Sequence, residues 1–399
     1  MKKNKIQFLL IIGIILLVAG NILVQLNFAK PAETATAHNS NTIAKRCNTV
    51  KPISSKLQCW EVHFDDILKK KDTARAFQVV TEISNIDSTF SANCHDFVHR
   101  IGEVTADLYM DNTNVSFSKN ASSCGFGFYH GFMGSLLKEN ISIEEISTLC
   151  EKISKEFPVS VEDACYHGIG HGTFALSSPE MNNDKDQMIQ KALELCEQIT
   201  NKEINVSRCV SGLFMEATVG EYSISLDKND PLSFCFRQQP QYQLDCFTQM
   251  NGALLILSQN NFNKAASYIE EIPNEHYAIE AIQTLTANYV LSTNENYREV
   301  IHKCGQLQER LYTSCIKGII LSILLNEQPE GSFNEAMNFC INDLSSEKEK
   351  NQCLEYTLQQ GKNMNSKDSV RELCAVLSRE KNISCDKIEA DSNRITYVL

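Results

Sequence analysis

Six of the nine histidines follow a cysteine by one to six residues: His63 after Cys59, His95 and His99 after Cys94, His130 after Cys124, and His167 and His171 after Cys165. Two segments share one register. Cys124-GFGFY-His130-Gly131 and Cys165-YHGIG-His171-Gly172 both read Cys-x5-His-Gly, and Cys94-HDFV-His99 is one residue shorter. His95 and His99 stand at i, i+4, as do His167 and His171. On a helix that spacing puts both imidazoles on one face, about 6 Å apart at Cβ. It is the spacing with which His-Glu-x-x-His helices chelate zinc, here without the intervening glutamate. The candidate ligands are therefore His95, His99, His130, His167 and His171. An imidazole-rich set suits a transition metal, with copper, iron and zinc the leading candidates.

Two carboxylates lie in reach of this pattern. Glu103 is one turn beyond His99, and Glu216 follows Cys209 by seven, one position past the histidine slot. Each has three possible roles: ligand, partner orienting an imidazole, or general base. Two other readings stand beside metal binding: histidines hydrogen-bonded in a core, and a metal-free catalytic site. The chain has no Gly-x-Ser-x-Gly elbow, no phosphate-binding Gly-Lys-Ser/Thr loop and no EF-hand loop.

The glycines bear on the same segments. Gly125, Gly127, Gly131 and Gly134 crowd one of them, and Gly168, Gly170 and Gly172 the other. Each costs a helix interior roughly 1 kcal/mol relative to alanine. Close helix–helix approach, or backbone approach to a bound group, would offset that cost.

The elements that must position these residues are read from the 16 cysteines, at 47, 59, 94, 124, 150, 165, 196, 209, 235, 246, 304, 315, 340, 353, 374 and 385. No two are closer than 11 residues, so zinc ribbons, Cys-x-x-Cys redox sites and the common iron–sulfur spacings are disfavoured. Taken two at a time the gaps are 12, 30, 15, 13, 11, 11, 13 and 11. Sequential pairing is the economical expectation: Cys47–Cys59, Cys94–Cys124, Cys150–Cys165, Cys196–Cys209, Cys235–Cys246, Cys304–Cys315, Cys340–Cys353 and Cys374–Cys385. The first cysteine of a couple ends an apolar-periodic stretch (STLCEKI, LELCEQI, MNFCIND), and the second opens another (DACYHGIGHGTFAL, TSCIKGIILSILL). Apolar residues at i, i+3, i+4 and i+7 make both stretches helices. First cysteines recur at steps of 46, 39, 69, 36 and 34, and the 69 holds an additional helix pair within residues 261–291. A helix pair recurring at this period predicts an all-α, disulfide-stapled, α-solenoid-like array. In period and layout it resembles the tetratricopeptide and Sel1-like class, without the diagnostic tetratricopeptide residues.

Residues 1–5 carry three lysines, and 6–28 run almost without charge. At about 1.5 Å per residue such a run spans a bilayer core of about 30 Å. The apolar region is longer than that of a cleaved signal peptide, so it reads as a signal anchor. Positive charge precedes it, which places the N-terminus in the cytoplasm and the bulk of the chain outside. An exported chain also accounts for many cysteines in even number. Residues 29–46 read as a flexible tether, 47–225 as the Cys/His-rich repeats with the site, and 226–399 as Cys-rich repeats without the cluster. Asn114, Asn120, Asn140, Asn205 and Asn382 are sequons compatible with a glycoprotein.

The net charge is −12, and no basic stripe offsets it, which argues against a nucleic-acid partner. Two functional readings follow. One is a membrane-anchored extracytoplasmic metalloprotein supporting metal-dependent oxidation or hydrolysis. The other is a non-enzymatic scaffold presenting its repeat surface to a protein or peptide partner.

Overall fold

The computed structural model describes residues 40–364, apart from 92, 112–116, 118–120, 122, 140, 156–158, 181–183, 221–222, 293–295 and 327–328, together with Cys374. The cytoplasmic tip 1–5, the apolar segment 6–28, and residues 29–39 of the expected tether lie outside the described residues, as do Asn114, Asn120, Asn140, Asn382 and Cys385. The described residues are all-helical, with no strand among them. None of their helices is long and apolar enough to cross a membrane.

The N-terminal helices are α1 (Ser40–Asn48), α2 (Ile53–Leu68), α3 (Thr73–Ser84), the single turn α4 (Ser88–Ser91), α5 (Cys94–Met110) and α6 (Gly127–Lys138). Helix pairs follow. α7 (Ile143–Ser154) precedes α8 (Val159–Glu180), α9 (Lys185–Ile199) precedes α10 (Glu203–Val219), and α11 (Ser233–Phe236) precedes α12 (Pro240–Gln249) with its continuation α13 (Asn251–Leu257). The additional pair expected in the long step is α14 (Phe262–Glu270) and α15 (Glu275–Ser292). α16 (Tyr297–Cys304) with α17 (Glu309–Asn326), and α18 (Pro329–Asn342) with α19 (Glu347–Met364), complete the described chain.

Local chemistry sets where the first helix of a pair begins. Ser142, Asp184, Asn261 and Asn296 each accept a hydrogen bond from the backbone N–H three residues on, capping α7, α9, α14 and α16. The apolar faces of each pair meet those of its neighbours in one continuous core. Second helices pack on one another in chain order: α5 on α6, α6 on α8, α8 on α10, α10 on α12, α12 on α15, α15 on α17, and α17 on α19.

Seven disulfides join consecutive cysteines, from Cys47–Cys59 to Cys340–Cys353, with Cα–Cα separations of 5.5–5.7 Å. Cys374 is also disulfide-bonded. Five of the seven link the first helix of a pair to the second helix, and Cys94–Cys124 ties the start of α5 to the turn before α6. In the chain-entropy model, loops of this length each contribute roughly 3 kcal/mol by limiting the unfolded chain.

Three expectations need correction. The tether does not extend to residue 46: Ser40–Asn48 is helical, Ile43 and Ala44 are buried, and the Ser40 hydroxyl donates to Glu82. Asn205 is no surface sequon. It is 2% exposed and its amide donates to Glu162 at 3.3 Å, so the folded chain offers no room for a glycan there. The array is also not strictly one-dimensional. α19 packs back on α8, and Gly125 N–H donates to the Leu325 carbonyl of α17 at 2.8 Å, which brings the last repeats against the first.

Candidate metal centre

The site is built on three helices that pack side by side: α5 with His95 and His99, α6 with His130, and α8 with His167 and His171. Their backbones approach unusually closely, and the glycines make this possible. A Cβ on Gly131, the neighbour of His130, would overlap the His99 carbonyl oxygen, and one on Gly212 of α10 would overlap that of His167. The helix-propensity cost of these glycines is thus offset by contact between successive second helices. Close approach, rather than a bound group, occupies the space that their missing side chains leave.

The loop entering α6 is also special. Cys124, Gly125 and Phe126 have φ of 56°, 63° and 61°, three consecutive residues in the left-handed region. For the two non-glycine residues this conformation is costly and needs support from the surroundings. The Cys94–Cys124 disulfide and the Gly125–Leu325 hydrogen bond supply it.

The five imidazoles converge. The ring centroids of His130 and His171 are 4.5 Å apart, those of His130 and His167 4.8 Å, and those of His167 and His171 5.1 Å. One nitrogen from each of these three lies within 4.8 Å of the others. On the opposite side, the rings of His95 and His99 lie 4.9 and 6.4 Å from that of His130.

Hydrogen bonding fixes which nitrogen carries the proton. The Ser211 hydroxyl donates to the Arg208 carbonyl at 2.9 Å, so its oxygen accepts from His167 Nδ1–H at 2.7 Å. His171 Nδ1–H donates to the Glu216 carboxylate at 2.9 Å. His95 Nδ1–H donates to the Cys124 carbonyl at 3.0 Å, and His99 Nδ1 lies 3.3 Å from Glu103. A neutral imidazole has one N–H, so in each of these rings Nε2 is left with a lone pair. His167 Nε2 and His171 Nε2 are 3.3 Å apart, so when both rings are neutral two acceptors stand face to face. His130 Nε2 is buried with no hydrogen-bond partner among the described residues.

Burial disfavours charge on the deepest imidazoles. His167 is 0% exposed and His130 1%. Burial, reinforced by the neighbouring imidazoles, holds both well below the usual histidine range, and the buried Arg208 adds to this at His167. His95 is half-buried. It is pushed down to about 4, chiefly by burial, with Asp96 opposing the shift. Glu103 is lowered, mainly by its hydrogen bond with His99. The Arg208 charge beside the cluster is matched by Asp163, 3.2 Å away.

The sequence-predicted residues therefore take different places. His130, His167 and His171 share ligand distance, and His95 and His99 border them. Glu103 and Glu216 sit behind imidazoles at Nδ1, the position of orienting partners rather than of ligands. His63 lies near Cys47 and Cys59, but those sulfurs are joined to each other and have no thiolate to offer. Sequence reasoning missed Ser211 and the Cys124 carbonyl. For Ser211 a signal existed: Cys165-Tyr-His167-Gly168 and Cys209-Val-Ser211-Gly212 are in register, with a serine in the histidine slot.

Comparison of the chain with family models, curated proteins and solved structures found no match. The site must be read from its own geometry.

Proposed function

We propose that this chain is a membrane-anchored extracytoplasmic metalloprotein that binds a transition-metal ion through His130, His167 and His171. The observation that carries the reading is the set of inward nitrogen lone pairs. Two Nε2 atoms face each other at 3.3 Å, a third buried Nε2 has no partner, and two of the three imidazoles are held neutral by burial. Such a group is costly when empty, because buried acceptors without donors lose their hydration without return. A cation meets that deficit. Nδ1 partners of the kind supplied by Ser211 and Glu216 are those with which metal-binding histidines are oriented.

Zinc, copper and iron suit the imidazole set. Three protein ligands leave a position for water or dioxygen, so metal-dependent hydrolysis and oxidation are the classes of chemistry this centre supports. The successive packing of second helices supports a solenoid-like reading of the scaffold. The apolar segment 6–28 would hold it at the outer membrane surface. The competing reading, a scaffold of tetratricopeptide or Sel1-like layout, gives no reason for five imidazoles to share one cluster.

The test is elemental analysis of the full chain purified in detergent. Near-stoichiometric transition metal is expected, and its loss in a His130→Ala, His171→Ala double variant that keeps its helical circular dichroism. Natively folded wild-type protein that stays metal-free after incubation with zinc, copper and iron salts would overturn the reading.

A further inference from the structure

The histidines outside the ligand-distance trio are arranged like those inside it. α5 and α8 each carry two histidines at i, i+4, and both helices pack on α6, which places His130 between the two pairs. In each pair one imidazole is backed by a carboxylate: His99 by Glu103 at 3.3 Å, and His171 by Glu216 at 2.9 Å. In each pair the other is backed by an uncharged oxygen: His95 by the Cys124 carbonyl at 3.0 Å, and His167 by the Ser211 hydroxyl at 2.7 Å. The two halves of the cluster thus repeat one design on either side of His130, with ring separations to it of 4.9 and 6.4 Å in one half and 4.8 and 4.5 Å in the other.

From this juxtaposition we infer that His95 and His99 seat a second transition-metal dication, making the centre dinuclear. This rests on the reading of His130, His167 and His171 as metal ligands and extends it.

Two arguments support the second seat. The first is preorganisation. With Nδ1 donating on both His95 and His99, the neutral rings present two Nε2 lone pairs on one helical face. The loop that fixes His95 is held in the left-handed region by a disulfide and by a hydrogen bond to α17. A histidine serving only as core packing would not need its acceptor delivered by so constrained a turn. The second is charge. Two adjacent dications need more compensation than one, and the cluster provides one carboxylate behind each pair. Adjacent metal seats are the setting of two-metal chemistry.

The experiment is metal stoichiometry on the full chain in detergent, stripped with a chelator and reloaded with Zn2+ alone, then freed of excess ion. Two zinc ions per chain are expected. The His95→Gln, His99→Gln variant should retain one, and the His167→Gln, His171→Gln variant should lose the ion of the other half. A parallel load with Cu2+ should give a spin-coupled electron paramagnetic resonance signal in the wild type and an isolated mononuclear signal in the His95→Gln, His99→Gln variant. One zinc ion per wild-type chain overturns the second seat and leaves the trio intact. No zinc in the wild type overturns both readings. Retention by the His95→Gln, His99→Gln variant of two ions, or of none with its helical fold preserved, also overturns the second seat. If the variants do not fold, the wild-type stoichiometry and its copper signal decide.

Discussion

His167 Nε2 and His171 Nε2 stand 3.3 Å apart, and each ring donates through Nδ1 on the far side, to Ser211 and to Glu216. The relationship arises from three levels of the chain. The i, i+4 spacing puts both rings on one face of α8. The glycine contacts bring α8 against α6 and α10. The side chains of α10 then reach the outward nitrogens. Two neutral imidazoles facing each other through lone pairs, one ring buried and the other largely shielded, are unfavourable by themselves, and a bound cation turns that arrangement into an asset.

Glu216 is expected to matter for affinity rather than for folding. It hydrogen-bonds His171 Nδ1 and is partly solvent-accessible, so its removal leaves no large cavity. Glu216→Gln should weaken metal binding by about 10-fold, and Glu216→Ala by about 10–100-fold, as for other orienting partners of ligand histidines. Competition titration of zinc against a chromophoric chelator measures this. Unchanged affinity in both variants would show that the carboxylate does not act through His171.

The glycine contacts make a paired prediction. Gly212→Ala places a methyl group into the His167 carbonyl, so α10 must move away from α8. The expected loss is about 1–3 kcal/mol of stability, with weaker metal binding because Ser211 and Glu216 move with α10. At Gly134 of α6 an added Cβ meets nothing within 4 Å. Gly134→Ala should therefore be neutral or stabilising by up to about 1 kcal/mol, through helix propensity alone. Urea unfolding of both variants with disulfides intact checks the contrast.

Much of this architecture is legible in the chain because cysteine spacing marks it. Each couple ends one apolar-periodic stretch and begins another, so the pairs α7–α8, α9–α10 and α16–α17 and their staples follow from local pattern. The cluster is legible in part. The shared registers at His130 and His171 place the rings on equivalent faces. How near those faces come depends on Gly131 and Gly212, whose neighbours lie on another helix. Ser211 has no signal of its own, because a lone serine has many local uses, and only its register with His167 distinguishes it. The packing of α19 on α8 has no local signature, since it joins residues far apart in sequence. Residues 40–46 read as tether because Ile43 and Ala44 are their only apolar residues. Their order comes from the Cys47–Cys59 bond and the Ser40–Glu82 contact.

The pH dependence of the metal-free protein should contain two opposing contributions. His95 is lowered to about 4 in the folded chain from about 6.5 unfolded, so the unfolded chain binds protons first as pH falls. Its contribution is intact above about pH 6.5 and is lost toward about pH 4, and the lowered His130 and His167 act in the same direction. Asp245 is the reverse. Burial pushes it up to about 7, and the Ser207 hydroxyl, which donates to it at 2.8 Å, offsets only part of that. The folded chain holds this proton more tightly, so its contribution is intact below about pH 4 and is lost as pH rises through about 7. Unfolding free energies of chelator-treated protein from pH 4 to 8 should show wild type losing its advantage over His95→Gln on the acidic side. Wild type should lose its advantage over Asp245→Asn on the neutral side. Parallel curves for either variant would contradict the corresponding assignment.

Two disulfides should have unequal functional weight. Cys304–Cys315 closes 11 residues and Cys94–Cys124 closes 30, so in the chain-entropy model removal of either costs roughly 3 kcal/mol, somewhat more for the longer loop. Only Cys94–Cys124 touches the centre. It anchors the left-handed turn whose Cys124 carbonyl accepts from His95 Nδ1, and it joins that turn to the residue preceding His95. A Cys94→Ser, Cys124→Ser variant should therefore lose both stability and zinc stoichiometry, with His95 released from its acceptor. A Cys304→Ser, Cys315→Ser variant should lose comparable stability and keep its metal. Elemental analysis beside thermal unfolding separates the two effects. Equal metal content in both variants would mean that the turn supports the fold without orienting His95.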